Sequence, residues 1–291
     1  MKYGIYYAYW EHEWTADYFK YIDKVAALGY DILEISCGAF KQTYTEDAQL
    51  MALRDYAAEK NVILTAGYGP AAAENISSAD PEVRRNALNF YKETLRKLHL
   101  MDIHVLGGGI YSYWPVDYSK PIDKAADLDR SIRSMKEIAK IAEEYDIILG
   151  CEVLNRFEGY LLNTCEEALA YVDAVGSDHV KVMLDTFHMN IEEDDIPTAI
   201  RKAGKNLGHF HIGEKNRRVP GHGTMDWRAI GQALRDIQYD GNVVMEPFVM
   251  PGGTVGSDIK IWRNIIPDIS EERLDADAAE SLRFLKHVFS R

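Results

Sequence analysis

The chain has 291 residues, 47% of them hydrophobic, and a formal net charge of -13 at pH 7. That supplies one large core, and the length suits a single α/β barrel as well as it suits two domains. The acidic balance argues against a protein that holds a phosphate backbone, which needs a basic face; only Lys215 to Arg218 gathers cations, so no nucleic-acid partner is expected.

From the amino terminus, MKYGIYYAYW enters an apolar and aromatic strand pattern with no small-residue cleavage site. Nowhere do about 18 apolar residues run uninterrupted, so the sequence predicts a cytoplasmic protein with no membrane partner. Cys37, Cys151 and Cys165 have neither metal-ligand nor redox spacing, and read as small buried apolar residues.

Eight runs rich in β-branched and aromatic residues follow in order: 3–7 (YGIYY), 31–35 (DILEI), 62–66 (VILTA), 103–107 (IHVLG), 147–153 (IILGCEV), 180–185 (VKVMLD), 207–212 (LGHFHI) and 242–246 (NVVME). Between them lie segments such as DPEVRRNALNFYKETLRKLHL, with apolar residues at three- and four-residue spacing. Successive runs start roughly 27 to 44 residues apart, which suits a strand, a helix and their loops; eight such units make a (β/α)8 TIM barrel. No linker or low-complexity tract interrupts them, so residues 1–291 are expected to form one catalytic domain. A doubly wound open sheet would not need eight even repeats.

In such a barrel chemistry sits at the carboxyl ends of the strands. The fifth run closes on Glu152, the sixth on Asp185, the eighth on Glu246, and the seventh carries His209 and His211. Singly, each has an ordinary explanation: Asp185 as a helix cap, Glu152 paired with Arg156, a histidine hydrogen-bonded in the core. Together, three carboxylates in an apolar mouth would repel one another unless a cation held them. Two Glu, one Asp and one His suit Mn²⁺, Co²⁺ or Mg²⁺ better than a structural zinc, and leave coordination positions open for catalysis. His209 and His211 share a strand face, and His211 lies nearer the carboxyl end; it is taken as the ligand, with His209 one layer deeper in a hydrogen-bonding role. Glu34, closing the second run, is expected to line the site. The glycines of 67–70 (GYGP) and 107–109 lack phosphate-loop spacing and are read as room for substrate.

The blocks GIYYAYWEHEW, GGGIYSYWPVDY, EVLNRFE, VKVMLDTFHMNIEE, GHFHIGEKNRRVPGHG and VVMEPFV with GGTVGSDIKIWR resemble, nearly end to end, those of the ketose 3-epimerases, the D-tagatose and D-allulose (D-psicose) 3-epimerase family within the xylose-isomerase-like TIM barrels. The resemblance implies a metal, Mn²⁺ or Co²⁺ with Mg²⁺ as a third choice, held by Glu152, Asp185, His211 and Glu246. It also implies that Glu152 and Glu246 form an acid/base pair, that His188 and Arg217 contact the oxygens around the reacting carbons, that Glu158 binds the hydroxyl end, and that Tyr6 and Trp114 line the sugar site. The expected substrate is a free ketohexose, inverted at C3 by proton removal on one face and return on the other through a metal-stabilised enediolate. The resemblance further implies a homodimer or homotetramer, for which Ile261, Trp262, Ile265 and Ile266 in the excursion 251–269 offer apolar surface. Gly109 stands where the family pattern has Ala.

Other functions on this barrel are less well served. A phosphate-ester nuclease needs histidines where the third and fourth runs end in TAGYG and LGGGI, and a hydride-shift isomerase needs a second carboxylate-rich metal site. A proton-transfer isomerase of the hydroxypyruvate type would use similar residues, whereas a non-catalytic sugar-binding protein would have no use for two opposed bases.

Overall fold

The computed structural model describes residues 1–290. Its strands are β1 (Lys2–Tyr6), β2 (Ile32–Ser36), β3 (Ile63–Gly67), β4 (Val105–Gly108), β5 (Ile148–Glu152), β6 (Val180–Asp185), β7 (Leu207–Ile212) and β8 (Asn242–Met245). Each pairs in parallel with the next, and β8 returns to β1, closing the barrel that the sequence spacing predicts. Strands buried on both faces need no polar alternation, which is why the runs read as nearly continuous apolar stretches.

The surrounding helices are α1 (Tyr18–Leu28), α2 (Asp47–Glu59), α3 (Pro81–Leu100), α4 (Lys124–Tyr145), α5 (Cys165–Val175), α6 (Thr186–Glu192), α7 (Ile196–Ala203), α8 (Trp227–Asp236), α9 (Gly253–Asp258) and α10 (Glu271–Phe289). Aspartates start many of them: Asp17, Asp80, Asp123, Asp185, Asp195 and Asp226 each accept a backbone N–H from the first turn of the helix that follows. Such a cap satisfies an orphan donor and meets the positive end of the helix dipole, so part of the acidic composition is structural.

Inward-facing residues stack in layers. A floor is formed where Gly4 packs on Ile32 and Val244; above it Met183 and His209 press against Gly107. The next layer toward the carboxyl ends holds the charged residues described below. All three cysteines are buried and free.

The chain is fastened at its closing seam. Helix α10 packs on α1 and α8, and its residues take hydrogen bonds from the first part of the chain. Trp10 Nε1 donates to Asp275 (2.8 Å), Tyr9 OH to the Leu274 carbonyl (3.3 Å) and Tyr30 OH to the Ala278 carbonyl (2.7 Å).

Two expectations need adjustment. Glu246 lies one residue beyond β8, with its N–H donating to the Ile212 carbonyl, so the strand hands over to a loop at the functional residue. The excursion 251–269 is also less open than its composition implies. Ile261 and Ile266 are buried and Ile265 packs against the core, leaving Trp262 as its large exposed apolar side chain.

Candidate active site

The ends of β5 to β8 bring Glu152, Asp185, His211 and Glu246 together, with one ligand-capable atom from each lying within 4.8 Å of the others. Strand pairing explains the convergence: Cys151 sits beside Val182, Asp185 beside His211, and Ile212 beside Met245, so four consecutive strands end at one level. His211 Nδ1 stands 3.7 Å from Glu246 Oε1 and 4.0 Å from Glu152 Oε1. Asp185 serves twice, since Oδ1 caps α6 by accepting from Phe187 N at 2.8 Å while Oδ2 faces the site. The pairing of Glu152 with Arg156 does not occur: Arg156 reaches outward to Glu192, at 2.8 Å.

His211 is aimed from behind. Its Nε2 donates to Glu34 Oε1 at 2.6 Å, His209 Nε2 donates to Glu34 Oε2 at 2.8 Å, and Thr65 Oγ1 donates to the same oxygen at 2.8 Å. Glu34 is fully buried, and although burial raises its proton affinity, the two adjacent histidines outweigh this and hold it ionised. With Nε2 committed to Glu34, His211 turns Nδ1 toward the other three carboxylates. Glu34 therefore does more than line the site, and His209 has the deeper, hydrogen-bonding place expected of it.

Around this centre lies a ring of donors. Arg217 is buried, and its Nη1 donates to Glu246 Oε2 (2.9 Å) and Asp185 Oδ2 (3.0 Å), with Glu158 Oε1 3.7 Å from Nη2. Phe187 and Phe248 flank its guanidinium, at 3.9 and 5.3 Å from their ring centroids. Asn155 donates its backbone N–H (3.2 Å) and its side-chain amide (2.8 Å) to His188 Nδ1. That assigns the ring proton to Nε2, which faces Glu152 Oε1 at 3.8 Å and Asp185 Oδ2 at 3.9 Å. Burial, then the charges of Arg217 and His211, push the His188 pKa well down, so it acts as a neutral donor. Asn155, Phe187 and Phe248 were not singled out from sequence. Asn155 lies only three residues beyond Glu152, but nothing in the sequence says that it faces His188.

The electrostatics are unequal. Burial, reinforced by Glu246, raises the Glu152 pKa well above the usual range; burial acts on Glu246 in the same sense, but His211 and Arg217 overcome it and hold Glu246 low. Glu152 Oε1 and His211 Nδ1 are buried and have no hydrogen-bond partner. Two orphaned atoms aimed at one centre, beside two carboxylates, form the donor set of a divalent cation, and the residues fit one. By contrast the Glu34 carboxylate, although clustered with His209 and His211, has both oxygens engaged by their Nε2 atoms.

Above the charged layer opens a cavity of about 250 Å³. Tyr6, Trp14, Tyr68, Trp114 and Phe248 wall it, Gly67, Gly69, Gly108 and Gly109 widen it, and Glu158 and Asp258 line it as further carboxylates. Tyr6 and Trp114 thus stand where expected, as walls. The pocket is sized for a small polar molecule with an apolar face, such as a sugar stacking on aromatic rings.

The family model for xylose isomerase-like TIM barrels matches residues 22–287. The chain is 63% identical to a D-psicose 3-epimerase of Enterocloster bolteae over 99% of this chain and 96% of that one. It is 52% identical to a D-psicose 3-epimerase of Agrobacterium fabrum over 99% of both. A crystal structure of D-psicose 3-epimerase with D-tagatose from Clostridium cellulolyticum superposes with a TM-score of 0.98 at 53% identity, covering 99% of each chain.

Proposed function

Because the chain belongs to the ketose 3-epimerases of the xylose isomerase-like TIM barrels, and is by that membership a carbohydrate epimerase, we propose that it inverts C3 of free ketohexoses by a two-base proton transfer at the barrel mouth. The observation that carries the mechanism is the convergence of two carboxylates on one cavity: Glu152 and Glu246 both line it, and with Asp185 and His211 they bring ligand-capable atoms within 4.8 Å of one another.

In one direction Glu246 accepts the proton from C3 and the C–H electron pair moves into the C2 carbonyl. Glu152 then returns a proton to the opposite face of C3, and the roles reverse for the other epimer. His188 Nε2–H and the Arg217 guanidinium are placed to donate to the oxygens that gain charge, a contact stronger in the transition state than in the ground state. Glu158, in reach of Arg217 and Asn155, accepts from the hydroxyls farther along the chain, while Tyr6 and Trp114 cover the apolar face. Glu152, Asp185, His211 and Glu246 would hold a divalent cation, with Mn²⁺ or Co²⁺ preferred on this donor set; bound there, it supplies Lewis acidity toward the oxygens on C2 and C3.

Exposed Trp262 (72%) and Phe157 (71%) support assembly into a homodimer or homotetramer. Among the described residues no helix is long and apolar enough to cross a membrane, and a cytoplasmic location is part of the proposal. The test is direct: incubation with D-fructose, D-tagatose and L-ribulose in the presence of Mn²⁺, read by sugar chromatography, should give the C3 epimers. Appearance of an aldose instead would replace epimerisation with isomerisation.

A further inference from the structure

The loop between β7 and α8 carries Arg217 with φ at +64°, the left-handed region that a residue with a Cβ does not ordinarily hold unaided. The turn around it is closed on the main chain. Glu214 N donates to the Arg218 carbonyl and Arg217 N donates to the Glu214 carbonyl, both at 2.9 Å, and Phe248 N donates to the Arg217 carbonyl at 2.8 Å. The Glu214 side chain ties the rest of the loop to this turn. Only 1% exposed, its carboxylate accepts from Gly221 N (2.9 Å) and Trp227 Nε1 (2.7 Å) on Oε1, and from Met225 N (3.2 Å) on Oε2.

Glu214 forms no ion pair among the described residues and is absent from the cavity wall. A buried anion is costly, and this one is stabilised by three N–H donors rather than by a cation. Gly223 is part of the same fit, because a Cβ there would overlap the Glu214 carboxylate. The effect is to clamp residues 214–227 into one shape, and the functional side chain that this shape aims is Arg217.

We infer that Glu214 is a positioning residue for the epimerisation: its carboxylate ties residues 221–227 onto the turn 214–218 and so fixes the Arg217 guanidinium over Asp185 and Glu246. The inference rests on the proposed role of Arg217 as a substrate contact. It places a determinant of turnover outside the cavity, in a residue that touches neither substrate nor any member of the charged cluster except through the loop.

A double-mutant cycle in the Mn²⁺-loaded full-length protein tests it. Glu214→Gln keeps the volume but replaces an acceptor oxygen with an amide that cannot accept from Met225 N, and misaiming the guanidinium should lower kcat by about tenfold while KM changes by less than about twofold. Arg217→Ala should cost more. In the Arg217→Ala background, Glu214→Gln should change kcat by less than about twofold, since no guanidinium remains to be aimed. If the two losses multiply, Glu214 supports the fold generally and the inference is overturned. Circular dichroism checks that each variant is folded. Should Glu214→Gln fail to fold, Trp227→Phe removes a single donor from the clamp, and the same cycle is run with it. Wild-type protein that converts no ketohexose would refute the epimerase reading itself. An Arg217→Ala protein as active as wild type would remove Arg217 from the site. Both results also overturn the inference, and neither resembles multiplying losses.

Discussion

Strands β5 to β8 deliver Glu152, Asp185, His211 and Glu246 to the mouth, whereas β1, β3 and β4 deliver Tyr6, Gly67 and Gly108. In the first half most of the polar groups hold one another, as Arg217 bridges Asp185 and Glu246 and Asn155 orients His188. In the second half aromatic rings and missing side chains leave a space. Substrate can only be bound and turned over where fixed charge meets open volume, and the barrel meets that need by assigning the two tasks to different strands. Strand β2 departs from the division, because Glu34 crosses the interior to fix two histidines of β7.

The charged half should break first. Glu152→Gln and Glu246→Gln should each lower kcat by about a thousandfold or more in both directions, since in the proposed mechanism each carboxylate accepts a proton for one epimer and donates for the other. Hydrogen exchange at C3 in D₂O sharpens the point. Glu246→Gln should still wash deuterium into one epimer through Glu152, and Glu152→Gln only into the other. If both variants label the same epimer, a single base must replace the pair.

Next in size is cation removal. Chelation should abolish turnover and lower the melting temperature, and Mn²⁺ at a hundredfold excess over its Kd should restore both, adding about 2.7 kcal/mol of stability. Full activity in metal-free protein would remove the cation from the mechanism.

Glu34→Gln probes the strand that bridges the halves. With His211 no longer held through Nε2, Mn²⁺ affinity measured by calorimetry should fall about 10- to 100-fold. The pH dependence of that affinity has a definite sign. Burial lowers the proton affinity of His211, but Glu34 and Glu246 raise it further, so its pKa stands well above the ordinary value. The cation must displace this proton, so wild-type affinity should weaken as pH falls and reach its full value only above the raised pKa. An affinity flat across neutral pH would contradict this account of the ligand.

On the open half, effects should be smaller and should follow space. A Cβ at Gly108 would strike the Tyr68 carbonyl, and φ there is +112°. Gly108→Ala should therefore cost about 1 to 3 kcal/mol of stability, visible in thermal unfolding. A Cβ at Gly109 would meet only Leu154 Cδ1, at 3.5 Å, an ordinary contact. Gly109→Ala should change kcat/KM by less than about twofold; a larger change would show that the sugar reaches this wall.

The barrel was legible because its strands are buried on both faces and recur evenly, and the cluster of Glu152, Asp185, His211 and Glu246 because polar residues closing four consecutive apolar runs must meet at one barrel mouth. What escaped were contacts between residues distant in sequence. Glu34 and His211 are 177 residues apart, and nothing local to DILEI announces that its glutamate orients a histidine. The packing of Phe187 and Phe248 on Arg217 and the knot around Glu214 depend likewise on loop shapes that composition does not encode. The apolar excursion after β8 misled for a related reason: its isoleucines cover its own base.

The bonds from Tyr9, Trp10 and Tyr30 to α10 have a consequence for synthesis. On the ribosome, β1 emerges well before β8 and before α10, the helix that covers the first βα unit, and contacts so distant in sequence form late. Until then one edge of β1 and a group of large aromatic rings remain uncovered, open to other chains. Barrel closure thus waits for β8 and α10, and a chain cut short before Leu274 should leave the ribosome bound for chaperones or aggregates even though every residue of the charged cluster has already been made.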